Sequence, residues 1–207
     1  MSEEIVFYTN PMSRGRIVRW MLEEIGQPYR AEIVAFGPPM KGPDYTALNP
    51  MGKVPALTHR GIVVTEVAAI LAYLADAFPA ANLAPEVNDP ARGSYYRWLF
   101  FAAGPLEQAV VNRSFGFELP PEGRGRAGYG SYEDVLNTLE IAVSAGDYLA
   151  GDQFSAADIY VGSHLDWGMM MGGIEKRPAF EAYAMRMVAR PAAIRARDID
   201  EALAPSN

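Results

Sequence analysis

Apolar and polar residues along this 207-residue chain change their period near residue 80. Residues 4–9, EIVFYT, are a short apolar run and predict a buried strand. After the loop NPMSRG, Ile17, Trp20, Met21 and Ile25 recur at i, i+3, i+4 and i+8, which is one face of a helix. Gly26 stands where a left-handed cap closes such a helix, and Pro28 forbids its continuation. In YRAEIVAF, Tyr29, Ala31, Ile33 and Ala35 alternate weakly and predict a second strand, parallel to the first through a right-handed crossover. Two more apolar runs, VPALTH and IVVT, flank Arg60-Gly61, a hairpin turn. The helix EVAAILAYLADAF, with Ile70, Leu74 and Phe78 in register, closes the unit.

The stretch PAANLAPEVNDP, residues 79–90, reads as a linker, and beyond it strand signals mostly stop. ARGSYYRWLFFAAGPLEQAVV predicts one long helix, 131–148 and 156–171 predict two more, and shorter ones follow near 178–189 and 191–203. Ser155 and Asp158 are spaced as an N-cap and its N3 acid, with Phe154 and Ile159 placed as a hydrophobic staple. That device nucleates a helix and carries no chemistry. Two domains are therefore expected, 1–80 and 88–207. The first has the order β-α-β, then β-β-α, which matches the thioredoxin-like arrangement. The second is all-α.

Composition narrows the chemistry. With no cysteine the protein supplies no thiol, disulfide or thiolate metal site, and two histidines, His59 and His164, do not make a histidine-rich metal centre. A net charge of −7 argues against a nucleic-acid partner. The acidic start is unlike a signal peptide and no run of apolar residues is long enough to span a membrane, so a cytoplasmic protein is expected. GRGRAG, residues 123–128, has dinucleotide-site spacing but follows ELPPE rather than a strand, and is read as a loop. NRS, 112–114, fits a glycosylation acceptor that a cytosolic chain does not use.

Four stretches resemble the cytosolic glutathione S-transferase family, in a bacterial, serine- or cysteine-type form. They are FYTNPMSRGRIVRW, NPMGKVPAL, TEVAAILAYL and LAGDQFSAADIYV, and together they span nearly the whole chain. The resemblance implies that the Val54-Pro55 bond is cis and that Val54 offers its backbone N–H and C=O to the cysteinyl part of glutathione. It also places Lys53 and Lys41 at the glycine carboxylate, and Glu66 at the γ-glutamyl ammonium. At Val67 the family usually has a serine or threonine. The Val67 N–H still faces the γ-glutamyl carboxylate at a helix start, but one side-chain hydrogen bond is missing.

Such a protein must hold the glutathione thiol as thiolate near neutral pH. That takes a hydrogen bond to sulfur and positive potential, and a helix N-terminus supplies the latter. Ser13, just before the first helix, resembles the serine-type members. Tyr8, at the end of the strand, resembles the tyrosine-type members, and Asn10 is a third donor. The reading favours Ser13, with Arg14 as electrostatic support from within a basic cluster that includes Arg16 and Arg19. The helical domain is expected to line an apolar electrophile pocket, with Met12, Tyr96, Phe100, Gly104 and the methionines Met169 to Met171 as candidates. The resemblance further implies a homodimer, to which Tyr95, Trp98 and Phe101 contribute, and a role in detoxification. A specialised glutathione-dependent isomerase, lyase or peroxidase, and a non-catalytic binding protein, are the alternatives. No metal is expected.

Overall fold

The run Ile5–Thr9 is apolar without alternation because it becomes the central strand β1, covered on both faces, with Ile5, Val6 and Phe7 all buried. In the computed structural model, which describes residues 3–204, β1 pairs in parallel with β2, Tyr29–Ile33, and antiparallel with β3, Ala56–His59. Phe7 stands opposite Ala31 on one side and Leu57 on the other. Strand β4, Ile62–Thr65, closes the sheet in the order β2-β1-β3-β4. Between β1 and β2 runs α1, Gly15–Ile25, which buries Ile17, Val18, Trp20, Met21 and Leu22. It ends at Gly26, whose N–H reaches the Leu22 carbonyl at 3.0 Å.

Strand β2 stops at Ile33 rather than near Phe36. One further bond, Val34 N–H to the Thr9 carbonyl at 2.8 Å, continues the pairing, and Phe36 is exposed. The segment expected as a loop up to Lys53 contains two short helices, α2 (Pro38–Lys41) and α3 (Pro43–Leu48). Each opens on proline, which is tolerated in a first turn because no intrahelical N–H is needed there. The Gly-Pro pairs that look like loop punctuation are helix starts. Helix α4, Val67–Ala77, follows β4 and buries Ile70, Leu71 and Leu74.

The second unit is helical among the described residues: α5 (Ala91–Phe101), α6 (Glu107–Ser114), α7 (Tyr132–Ser144), α8 (Ala156–Met170) and α9 (Pro178–Val188). The single helix expected over 91–111 is divided by a π-helical turn, Ala102–Leu106, that contains Pro105. Proline lacks the donor for the i−4 carbonyl and its ring crowds that carbonyl, so the ladder widens there. At the start of α8, Asp158 is fully buried and collects four donors: Leu149 N–H at 2.9 Å, Ser155 N–H at 2.9 Å, Ser155 Oγ at 2.9 Å and Tyr183 Oη at 2.7 Å. The capping box forms, and Ile159 is buried beside it.

Helix α10, Pro191–Leu203, departs from the expected division. The chain separates into one unit running to Ala81 together with the residues from Arg190 onward, and a second unit Asn82–Ala189. The last helix thus groups with the α/β unit, not with the helical one. Charge explains it: Arg19 Nε of α1 meets Asp200 Oδ1 at 2.7 Å in a buried pair, Arg190 binds both oxygens of Glu24 at 2.6 and 3.0 Å, and Arg195 reaches Glu23 at 3.2 Å. Residues 1, 2 and 205–207, the extremes of the two expected domains, lie outside the described residues.

His59 is buried, with Nδ1 2.8 Å from Tyr73 Oη and its ring stacked on Phe78. Burial, helped by nearby Arg60, holds its pKa below the ordinary 6.5. In the pH range between the two values, the unfolded chain takes up a proton that the folded chain refuses. This contribution to stability is therefore present above the ordinary value and is lost as pH falls toward the lowered one. The Tm decrease between about pH 7 and about pH 5 is expected to be smaller in His59→Gln than in the native protein. Equal decreases by thermal unfolding would show that His59 does not titrate out of register with the unfolded chain.

Candidate functional site

The loop between β1 and α1 is shaped by two side chains. Asn10 is buried, its Nδ2 donates to the Val34 carbonyl at 3.0 Å, and its Oδ1 accepts from Met12 N–H at 3.0 Å. Its amide therefore braces the turn. The Ser13 hydroxyl donates to the Asn10 carbonyl at 2.7 Å and accepts the Gly15 N–H at 3.0 Å, so it sits on the first open donor of α1. Gly15 has no room for a side chain: a Cβ there would lie 1.9 Å from Thr9 Oγ1. The first turn of α1 thus lies directly on the end of β1.

Tyr8 is half-buried, its ring 6.1 Å from that of Tyr45, and among the described residues its hydroxyl makes no hydrogen bond. Arg14 is exposed at the helix start, and Arg16 Nε donates to the Pro11 carbonyl at 2.7 Å. Arg19 leaves the expected basic cluster altogether, because it is buried against Asp200.

A second loop precedes β3. The Val54-Pro55 bond is cis, as the resemblance implies. Among the described residues the Val54 N–H and C=O make no hydrogen bond with the chain, whereas β3 pairing begins at Ala56. The neighbouring Lys53 carbonyl is held twice, by Tyr45 Oη at 2.7 Å and Asn49 Nδ2 at 2.8 Å. Asn49 Oδ1 also takes the Met51 N–H at 3.1 Å. Burial pushes the Tyr45 hydroxyl up to about 12, which keeps it a donor. These two residues fix the approach to Val54, and the sequence reading missed both. Asn49 before Pro50 was the available signal, since asparagine side chains commonly close such turns. Nothing local marks Tyr45. Gly52 is required by its positive φ of 54° and because a Cβ would lie 2.7 Å from the Met40 carbonyl. Lys41 Nζ donates to the Met51 carbonyl at 2.8 Å and keeps two further donors, while Lys53 is exposed.

At the start of α4, Glu66 is exposed and adopts φ 69°, ψ 125°, a region that non-glycine residues avoid. Strain of this kind gathers at ligand sites. Val67 is 6% exposed, and among the described residues no side chain caps the helix, whose first N–H groups carry the positive end of its dipole.

In the helical unit, Tyr96 and Phe100 on α5 are exposed, the latter 67%, and Gly104 in the π turn is partly exposed. Met169 is partly exposed, and Met170 and Met171 are exposed. Met12 of the first unit is exposed as well. Tyr95 and Trp98 are buried, which leaves Phe101 as the only partly exposed member of the trio expected at a dimer face. Among the described residues no cluster of three or more histidine or acidic side chains is placed to hold a metal, and no helix is long and apolar enough to cross a membrane.

Known proteins resemble this chain in sequence and in fold. The family model for the glutathione S-transferase N-terminal domain matches residues 12–77, and that for its C-terminal domain matches residues 130–191. The glutathione S-transferase GstA of Escherichia coli O157:H7 is 32% identical over 152 residues, which covers 72% of this chain and 75% of that protein. A glutathione transferase structure from Methylococcus capsulatus superposes with a TM-score of 0.79 at 30% identity, covering 96% of this chain and 99% of the other. A sphingomonad glutathione S-transferase complexed with glutathione gives 0.77 at 31% identity, covering 95% and 98%. With both domain models matched in order and 32% identity over 72% of its length, this chain belongs to the glutathione S-transferase family.

Proposed function

We propose that this glutathione transferase binds glutathione on its α/β unit and activates the thiol with the Ser13 hydroxyl. The Val54 N–H and C=O pair with the cysteinyl backbone, and Lys53 and Lys41 meet the glycine carboxylate. Glu66 and the Val67 N–H receive the γ-glutamyl end, and Asn10 shapes the turn. The observation that carries the choice of Ser13 is its hydrogen bond from Gly15 N–H. A hydroxyl polarised by the positive end of α1 is a better donor to sulfur than one on a strand. On turning from the Asn10 carbonyl to the sulfur, Ser13 stabilises the thiolate, and exposed Arg14 adds positive potential. Tyr8 lies within β1 with no helix end behind it. Tyr8→Phe should therefore retain most conjugating activity toward an aryl halide, and a loss of more than about tenfold would transfer the role to Tyr8.

The exposed side chains Tyr96 and Phe100 and the partly exposed Met169, with Gly104, serve as the electrophile surface of the helical unit, and Met12 serves on the α/β unit. We place the protein in the cytoplasm as a homodimer that detoxifies hydrophobic electrophiles. The length and order of the family match support that assignment.

Buried Val67 bears on affinity. A hydroxyl at this position would add one hydrogen bond to the γ-glutamyl carboxylate, and a bond to a charged group contributes about 1.5–3 kcal/mol. Val67→Ser is expected to lower the KM for glutathione by about tenfold at nearly unchanged kcat. An unchanged KM would mean that the γ-glutamyl carboxylate does not lie at this helix start.

A further inference from the structure

The geometry points to Asp200 on α10 as the residue that sets how strongly α1 stabilises the glutathione thiolate, through its ion pair with Arg19. This rests on the reading that the thiol lies at the first turn of α1. Helix α10 lies almost wholly beyond the residues matched by the family models, which end at 191.

Arg19 and Asp200 are each about 1% exposed at the side chain, and they share one bond, Nε to Oδ1 at 2.7 Å. Arg19 Nη2 and Asp200 Oδ2 have no hydrogen-bond partner, so the pair is not the bidentate clamp that anchors best. Arg19 Nη1 donates to Tyr29 Oη at 3.2 Å, Tyr29 donates to Glu23 at 2.8 Å, and the guanidinium lies 5.3 Å from the Phe7 ring centre. Arg16, also on α1, is the other cation that acts on Asp200. Burial pushes the Asp200 carboxyl up, and Arg19 and Arg16 work against that.

Arg19 lies four positions beyond Gly15, roughly 6 Å along the helix axis, and its guanidinium reaches Tyr29 Oη, which is bound to Glu23 one turn further on. The pair thus stands within roughly 10–12 Å of the first turn. At that range a unit charge in partly buried surroundings moves a pKa by roughly half a unit to one unit. Asp200 does not touch the reacting sulfur. It is a positioning residue whose negative charge offsets Arg19 and holds the thiol less acidic than α1 alone would make it. A merely structural role has the opposite sign, because loosening α1 lets the thiol rise toward its free value.

The test is the pH titration of thiolate absorbance of bound glutathione in the native protein, in Asp200→Asn, and in the double variant Arg19→Met with Asp200→Leu. The pKa is expected to fall by roughly half a unit to one unit in Asp200→Asn and to stay near the native value in the double variant, which removes both charges. An unchanged or raised pKa in Asp200→Asn overturns the inference. Should Asp200→Asn not fold, the native protein still decides. Linkage requires bound thiolate to raise the Asp200 pKa by the same amount, read as its carboxyl carbon shift by NMR with and without glutathione, and no change overturns the inference. A native protein whose bound thiol titrates at the free value overturns the Ser13 reading beneath it as well. A depressed native value left unmoved by Asp200→Asn removes only the role of Asp200.

Discussion

Ser13→Ala is expected to reduce kcat/KM for conjugation of glutathione to an aryl halide by about 100-fold, the usual effect of removing one donor aimed at developing or resident negative charge. The loss should fall on kcat more than on the KM for glutathione. In the proposed site the hydroxyl meets glutathione only at the sulfur, whereas the rest of the tripeptide is assigned to the Val54 backbone, the two lysines and the start of α4. The scaffold around the hydroxyl should survive the change, because Asn10 braces the turn independently through Val34 and Met12. Steady-state kinetics at saturating electrophile, with thermal unfolding as a control, separates the two quantities. Activity within about threefold of native would show that Ser13 is only the cap of α1, a role whose loss costs about 1 kcal/mol of stability and no chemistry.

Asp158→Ala is expected to have the largest effect on stability. The carboxylate is fully buried and receives four hydrogen bonds that join the start of α8 to the Leu149 backbone and to Tyr183 of α9. Removing it leaves the Tyr183 hydroxyl, the Ser155 hydroxyl and two backbone N–H groups short of a partner in a dry site. Each buried unsatisfied donor costs about 1–3 kcal/mol, so a total of about 3–5 kcal/mol is expected after relaxation. For a protein of this size that is a Tm lower by about 10 °C. Asp158→Asn keeps one acceptor oxygen and should lose less. If Asp158→Ala unfolds within about 2 °C of the native protein, the box is dispensable and α8 is held by packing of Ile159 and Leu165 alone.

The sequence was legible where a pattern is local. Helical spacing in α1 and α4, the hairpin turn at Arg60-Gly61 and the Ser155–Asp158 cap each lie within a dozen residues, and each forms in the structure. At the candidate site the local motifs were legible too. Pro55, Glu66 and Ser13 stand in short motifs whose backbone geometry is now explicit. What escaped the reading depends on partners distant in sequence. Tyr45 acts on the Lys53 carbonyl eight residues away through a turn, and no periodicity marks it. Arg19 looks like one of three arginines in a basic cluster until Asp200, 181 residues later, is brought beside it. The placement of α10 follows from that pair and from Glu23 and Glu24, charges that an amphipathic pattern does not connect. The break at Pro105 was visible in the sequence but masked by the strong helical run on both sides.

A lowered pKa of the glutathione thiol at the start of α1 is what separates an activating enzyme from a binder. The most direct test is the pH titration of thiolate absorbance for glutathione bound to the native protein, beside Ser13→Ala and Tyr8→Phe. A native pKa well below the free value of about 8.5 is expected, moved upward by Ser13→Ala and left in place by Tyr8→Phe. A bound thiol that titrates at the free value in the native protein would contradict it and make the chain a binder of glutathione rather than its activator.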